Sequence, residues 1–112
     1  MTGRAKKYLS DILYAIGLIN EFLTDITDAE AYFQDLKTQS AIERQLGIIG
    51  EAVNQFRKQE TEITLSHDKE IVQFRNRLIH AYSSIDDGIV WSILVDYLPQ
   101  LQTEVEALLN PP

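Results

Sequence analysis

Ile42, Leu46, Ile49, Val53 and Phe56 advance by four, three, four and three residues, and this rhythm constrains the chain more than any other feature. Apolar side chains at heptad spacing line one stripe of an α-helix, and that stripe must be buried against other helices. A strand would scatter the same side chains over both faces. Leu9, Ile12, Leu13, Ile16, Ile19 and Leu23 also recur with helical spacing, which predicts an amphipathic helix from Tyr8 to Leu23, interrupted only by Gly17. Thr27 followed by Glu30 has the spacing of a capping box. With Ala31, Phe33 and Leu36 as a short apolar side, a further helix is predicted to begin near Asp28. The pattern lapses from Gln59 to Leu65. Ser66 then reads as the cap of a helix that carries Asp68 and Glu70 in its first turn and buries Ile71, Phe74 and Leu78, with Ile79 at the margin. Tyr82-Ser83-Ser84 reads as a break. Ser84 or Asp86 is expected to cap a last helix through Ile89, Val90, Ile93, Leu94 and Tyr97. Pro99 removes one helical hydrogen bond, so a kink or a restart is expected before Leu101, Val105 and Leu108, and Asn110-Pro111-Pro112 ends the helix. No stretch alternates with period two for long enough to make a strand. The expected fold class is therefore all-α, an antiparallel bundle of four to five helices.

At 112 residues the chain is expected to form one domain, residues 1–112, with enough interior for a self-supporting core. The absence of cysteine excludes a disulfide framework, thiolate catalysis and Cys-ligated zinc, and it fits a reducing cytoplasm. No apolar run approaches the roughly 20 residues of a membrane span, so no membrane association is expected and a cytoplasmic location is. Ten Lys and Arg against seventeen Asp and Glu leave a net charge of −7. That balance opposes non-specific nucleic-acid binding, and any RNA contact must come from a local basic pocket. It also disfavours a helix-turn-helix DNA binder, as does the lack of a basic recognition helix.

One segment departs from ordinary bundle chemistry. Phe74-Arg75-Asn76-Arg77-Leu78-Ile79-His80-Ala81-Tyr82 gathers two Arg, an Asn, a His and a Tyr within nine residues. On a regular helix Asn76 and His80 lie about 40° apart, whereas Arg75 is about 140° from His80 and would need its long side chain or local unwinding to share a pocket. A permanently cationic guanidinium, an amide and an imidazole able to exchange a proton near neutral pH suit phosphodiester cleavage without a metal. Taken alone, the Arg-x4-His spacing is common in helices.

Context adds to it. Arg75-x4-His80, with a polar residue directly after the Arg and His80-Ala81-Tyr82 at a helix end, resembles the Arg-x(4–6)-His motif of the HEPN superfamily, and within it the HepT-like ribonuclease toxins. Tyr8-Leu9-Ser10-Asp11-Ile12-Leu13, Ile49-Gly50-Glu51-Ala52, Ile85-Asp86, Val90-Trp91 and Leu98-Pro99-Gln100-Leu101 extend the resemblance in order along most of the chain. One departure is Ser66-His67, where this family often carries Pro-Trp. The resemblance implies a HEPN-like helical homodimer that cuts RNA such as tRNA at a cleft shared by two subunits, as the toxin of a type VII-like toxin–antitoxin pair. It implies that Arg75 stabilises phosphate charge, that Asn76 orients the phosphate or the imidazole, and that His80 is general base or acid on the 2′-hydroxyl or the leaving oxygen. It further implies that Tyr82 is adenylylated by a cognate minimal nucleotidyltransferase antitoxin.

Other residues carry weaker signals. Glu51 could neighbour the cleft or pair with an Arg inside the bundle, and Arg77 could face solvent or RNA. His67 reads as an exposed residue of a first helical turn. Trp91 and Tyr97 read as core or interface anchors rather than a platform for bases. No Glu-x-x-His pair and no Gly-rich phosphate loop is present, and two His thirteen residues apart make a weak metal case, so neither a metal nor another cofactor is expected. The alternative to an enzyme is a non-catalytic helical module that binds a nucleotide or docks on a nucleotidyltransferase.

Overall fold

The computed structural model describes residues 1–81 and 84–112, and every extended element among them is helical. Helix α1 (Gly3–Phe22) starts where the Thr2 hydroxyl accepts the Ala5 N–H at 3.0 Å. It begins ahead of the predicted Tyr8 because Ala5, fully buried, already belongs to the inward stripe with Leu9, Ile12, Ile16 and Ile19. The next helix, α2 (Ala29–Phe33), is only five residues long, and its cap is Asp28 rather than Thr27, accepting the Ala31 N–H at 2.8 Å. Its buried residue is Tyr32; Phe33 and Leu36 are exposed, and Leu36 opens the following helix because Asp35 caps there. Helix α3 (Leu36–Gln59) buries all five residues of the heptad seam.

Helix α4 (Asp68–His80) departs from expectation at its start. The cap position falls on His67, with φ 62° in the left-handed region, and no side chain caps the helix. Ser66 is used elsewhere: its N–H donates to Glu104 at 2.8 Å and its hydroxyl donates to the same carboxylate. His67 is half-buried rather than exposed, stacked on Tyr97 with ring centroids 4.0 Å apart and with Nε2 3.0 Å from the Gln100 amide oxygen. The loop before α4 is thus fastened to the last helix by side chains distant in sequence. Ile71 and Phe74 are buried as expected, Val72 joins them, and Ile79 lies outside the apolar face at 52% exposed.

Asp86 caps helix α5 (Asp87–Ser92), accepting the Gly88 N–H at 2.7 Å. The chain then passes without a break through a π-helical turn (Ile93–Tyr97) into α6 (Leu98–Leu109). The Leu98 N–H donates to the Ile93 carbonyl five residues back, and Pro99 follows in the first turn of α6. The predicted kink or restart is resolved as a widening of the helix that accommodates the missing Pro99 donor. Counted as one rod, α5 to α6 completes five helical rods among the described residues, an all-α bundle.

Helix α3 packs against α1 on one side and α4 on the other, and α6 closes on α1. The Thr2 N–H reaches Glu60 at 3.2 Å, joining the start of α1 to the end of α3, so that pair is antiparallel. Helices α3 and α4 are antiparallel too, since Gly47 meets Leu78 and Gly50 meets Ile71 and Arg75. None of the described helices is long and apolar enough to cross a membrane. At Gly50 the α3–α4 approach leaves no room for a side chain: a Cβ there would overlap the Arg75 Cβ and stand 2.9 Å from its Cγ. Where α2, α3 and α5 meet, the Tyr32 ring packs on Trp91 at 5.6 Å, and the buried Tyr32 hydroxyl has no hydrogen-bond partner among the described residues. Burial, with Glu43 and then Asp87 nearby, pushes the Tyr32 pKa up. Burial, reinforced by Asp87, also holds the Glu43 carboxyl above its usual range.

Three substitutions test this packing. Gly50→Ala must spread α3 from α4 and is expected to cost about 1–3 kcal/mol in a denaturant melt, as overpacked cores do. Gly17→Ala, in open space on α1, is expected to stabilise by about 0.5–1 kcal/mol, so equal effects at the two sites would contradict the contact. Because the Glu43 pKa is raised in the fold, its stabilising contribution is complete below 4.5, the ordinary Glu value, and is lost as pH climbs through the raised value. Glu43→Gln is therefore expected to remove part of the decline in stability across that range, measured by urea melts between about pH 4 and 7.

Candidate active site

Helix α4 is regular from Asp68 to His80, with no local unwinding. Arg75 consequently turns toward α3, and its stem lies against the bare backbone at Gly50. Its guanidinium forms an ion pair with Glu51 and donates through its other terminal nitrogen to the Asn76 amide oxygen at 3.0 Å. Glu51 is steadied from its own helix, where the Gln55 amide donates to its second carboxylate oxygen at 3.0 Å, one turn along. Glu51 is an Arg partner: it pairs with Arg75 and lines the groove beside it. The Arg75 and Glu51 side chains are 26% and 44% exposed, so solvent screens the pair to about 1 kcal/mol or less, and its main effect is orientation.

Asn76 and His80 are exposed, one turn apart on the outer face of α4. His80 lines neither of the two main grooves and shares no hydrogen bond with Arg75 among the described residues. The structure therefore brings Arg75, Asn76 and Glu51 together and leaves His80 beside Asn76 but apart from Arg75. Arg77 projects to the far side of α4, into a groove of about 500 Å³ against α5 that also holds Glu70 and Asp86. Tyr82, the expected adenylylation site, lies outside the described residues.

A larger groove of about 930 Å³ runs between α1, α3 and α4, floored by Tyr8, Ile48, Leu78 and Ile79. Its charged residues are Lys7, Arg44 and Arg75 against Asp11, Glu43 and Glu51, and Lys7 is paired with Asp11 at 2.9 Å. This groove is not, among the described residues, the local basic pocket expected for RNA, because each sign of charge in it is matched by the other. Among the described residues no three His, Cys, Asp or Glu side chains gather as a metal-binding set.

Sequence reading singled out Arg75, Asn76, His80 and Glu51 but missed Gln55 and the steric role of Gly50. The Glu51-x3-Gln55 spacing was a visible signal that one helix face could hold the carboxylate. Gly50 gave no local signal, since its consequence exists only when α4 lies across it.

The family model described as "Ribonuclease HepT-like" matches residues 12–108. "Probable ribonuclease HepT" of Thermococcus cleftensis is 39% identical over 107 residues, covering 92% of this chain and 94% of that protein. "Putative RNase MJ1380" of Methanocaldococcus jannaschii is 36% identical over 105 residues, covering 90% and 93%. "Putative RNase TTE0752" of Caldanaerobacter subterraneus subsp. tengcongensis is 31% identical, covering 94% of each. No solved structure matches the chain significantly. With a family match over nearly its whole length and relatives of the same size, the chain belongs to the HepT-like ribonuclease family.

Proposed function

We propose that the protein is a metal-independent endoribonuclease that works as a homodimer, the toxin of a type VII-like toxin–antitoxin pair, and cuts RNA such as tRNA. The observation that carries this reading is the α4 surface: a fixed guanidinium, an amide and an exposed imidazole follow one another within about one and a half turns. Arg75 and Asn76 offer donors to a phosphate, and His80 offers a proton acceptor to a ribose 2′-hydroxyl. In the reaction the 2′-oxygen attacks phosphorus, its proton passes to His80, the bond to the 5′-oxygen breaks, and that oxygen takes up a proton. The products are a 2′,3′-cyclic phosphate and a 5′-hydroxyl end. Charge stabilisation falls to Arg75.

Because Arg75 and His80 diverge by about 140° around α4, a second copy is needed to set an imidazole opposite a guanidinium. Two chains facing one another through α4 would also bring two copies of Arg75 and Arg77 to one strand of RNA and offset the acidic balance of each chain. Silencing is assigned to adenylylation of Tyr82, two residues after His80 in sequence, by a cognate minimal nucleotidyltransferase, since an added nucleotide brings bulk and a negative charge that repels RNA phosphate.

The test is cleavage of total tRNA, with chelator present, by protein whose Tyr82 is unmodified by intact mass. Wild type is expected to cut, and folded Arg75→Ala and His80→Ala dimers to lose about 10²–10⁴-fold in rate. Undiminished cutting by His80→Ala would remove the imidazole from the mechanism, and absence of cutting by wild type would favour the non-catalytic binding module. After coexpression with the nucleotidyltransferase, a Tyr82-containing peptide heavier by one AMP is expected; an unmodified peptide counts against the switch.

A further inference from the structure

The chain of side-chain bonds that crosses from α3 to α4 ends on an atom that faces outward. Gln55 donates to Glu51, Glu51 accepts from Arg75, and Arg75 donates to Asn76. A guanidinium has only donors, so the end of the Asn76 amide that faces Arg75 is its oxygen and the end directed away is its NH2. Asn76 is exposed on the face where His80 follows one turn later. We propose that Glu51 and Gln55 are positioning residues, which fix the Arg75 guanidinium and, through it, present the Asn76 NH2 as a donor beside His80. This rests on the reading of Arg75, Asn76 and His80 as the reacting set.

Three features make the relay more than a surface ion pair. Each oxygen of the Glu51 carboxylate is taken by a different donor, so the carboxylate cannot rotate without losing one. The Arg75 stem is pinned at its base, where Gly50 lets Cβ and Cγ lie against the α3 backbone. The guanidinium is therefore held at Glu51 and reaches from there to the Asn76 amide oxygen, and among the described residues its further N–H donors are left for a phosphate. A donor at Asn76 can hydrogen-bond either a phosphate oxygen or an unprotonated imidazole nitrogen, and holding it in one rotamer before RNA arrives lowers the cost of organising the site.

Wild type, Glu51→Ala, Glu51→Gln and Gln55→Leu are compared as purified dimers on total tRNA, as rate against RNA concentration below the melting temperature of each variant. The relay expects Glu51→Ala to lose roughly 10²-fold in kcat with KM changed by less than about threefold, the pattern of misplaced reacting groups. Glu51→Gln, which keeps an acceptor oxygen for Arg75, is expected to recover most of that loss, and Gln55→Leu to lose only several-fold. Full kcat in a folded Glu51→Ala dimer overturns the proposal, as does a fall in KM with kcat intact, which would mean that Glu51 merely competes with phosphate for Arg75. Arg75→Ala and His80→Ala run alongside: if both lose activity and Glu51→Ala keeps the wild-type kcat, the relay fails alone, and if either keeps the wild-type rate, the reacting set fails with it. A readout independent of activity is the pair of Asn76 side-chain NH2 resonances in nitrogen-15 NMR. Glu51→Ala and Gln55→Leu are expected to shift them toward the values of a freely rotating amide, and resonances unmoved in both variants overturn the relay.

Discussion

The contact between Gly50 and Arg75 sets the rest of the site. Helices α3 and α4 meet so closely there that a single added carbon would collide with the Arg75 stem. Interhelix distance, the height of α4 along α3 and the direction of Arg75 are thereby fixed together, because interiors packed at crystal-like density deform poorly. One residue further along α3, Glu51 meets the guanidinium. The heptad seam supplies the driving force for the approach, since Ile49 and Val53 on either side of this position are fully buried. Gly50 supplies the clearance that lets a long cationic side chain lie in the crevice without exposing that core.

Much of the architecture was legible in the sequence for a physical reason: a buried stripe must repeat at the helical period, whatever it packs against. The whole α3 seam reads that way, and so does the inward face of α1. What escaped were choices between neighbouring caps and bonds made across the bundle. Thr27 and Asp28 are both competent caps, and only the direction in which the chain enters α2 selects Asp28. Leu36 satisfied the apolar side of α2 by spacing, but Asp35 starts α3 ahead of it. Ser66 and His67 carry tertiary contacts to Glu104, Gln100 and Tyr97, residues thirty or more positions away that no local pattern could connect to them. The candidate site divides in the same manner. The density of polar groups in Arg75-Asn76-Arg77 and His80 was apparent at once, whereas Gln55 acquires its place only after α3 and α4 are packed.

Electrostatics inside the fold refine what net charge implies. The large groove contains three cationic and three anionic side chains, two pairs of which are joined directly. Affinity for a polyanion through bulk counterion release is therefore weak in one chain, and discrimination must come from a few donors in set positions. Such a surface suits a protein that has to leave most nucleic acid alone. The acidic region around Glu43 and Asp87 works in the same direction, placing negative charge near the start of α5.

The π-helical turn at Ile93–Tyr97 has a consequence for how this family can vary in length. A turn with a donor five residues back holds one residue more than an α-turn while returning the downstream helix to nearly the same angular phase. Leu98, Leu101 and Val105 thus stay aligned with the core although the rod contains both an extra residue and a proline. A chain with one residue fewer here could close into plain α-helix and still bury the same side chains. Single-residue insertions and deletions in this rod are thereby buffered within five positions, and the contacts that Tyr97, Gln100 and Glu104 make with the loop before α4 keep their place.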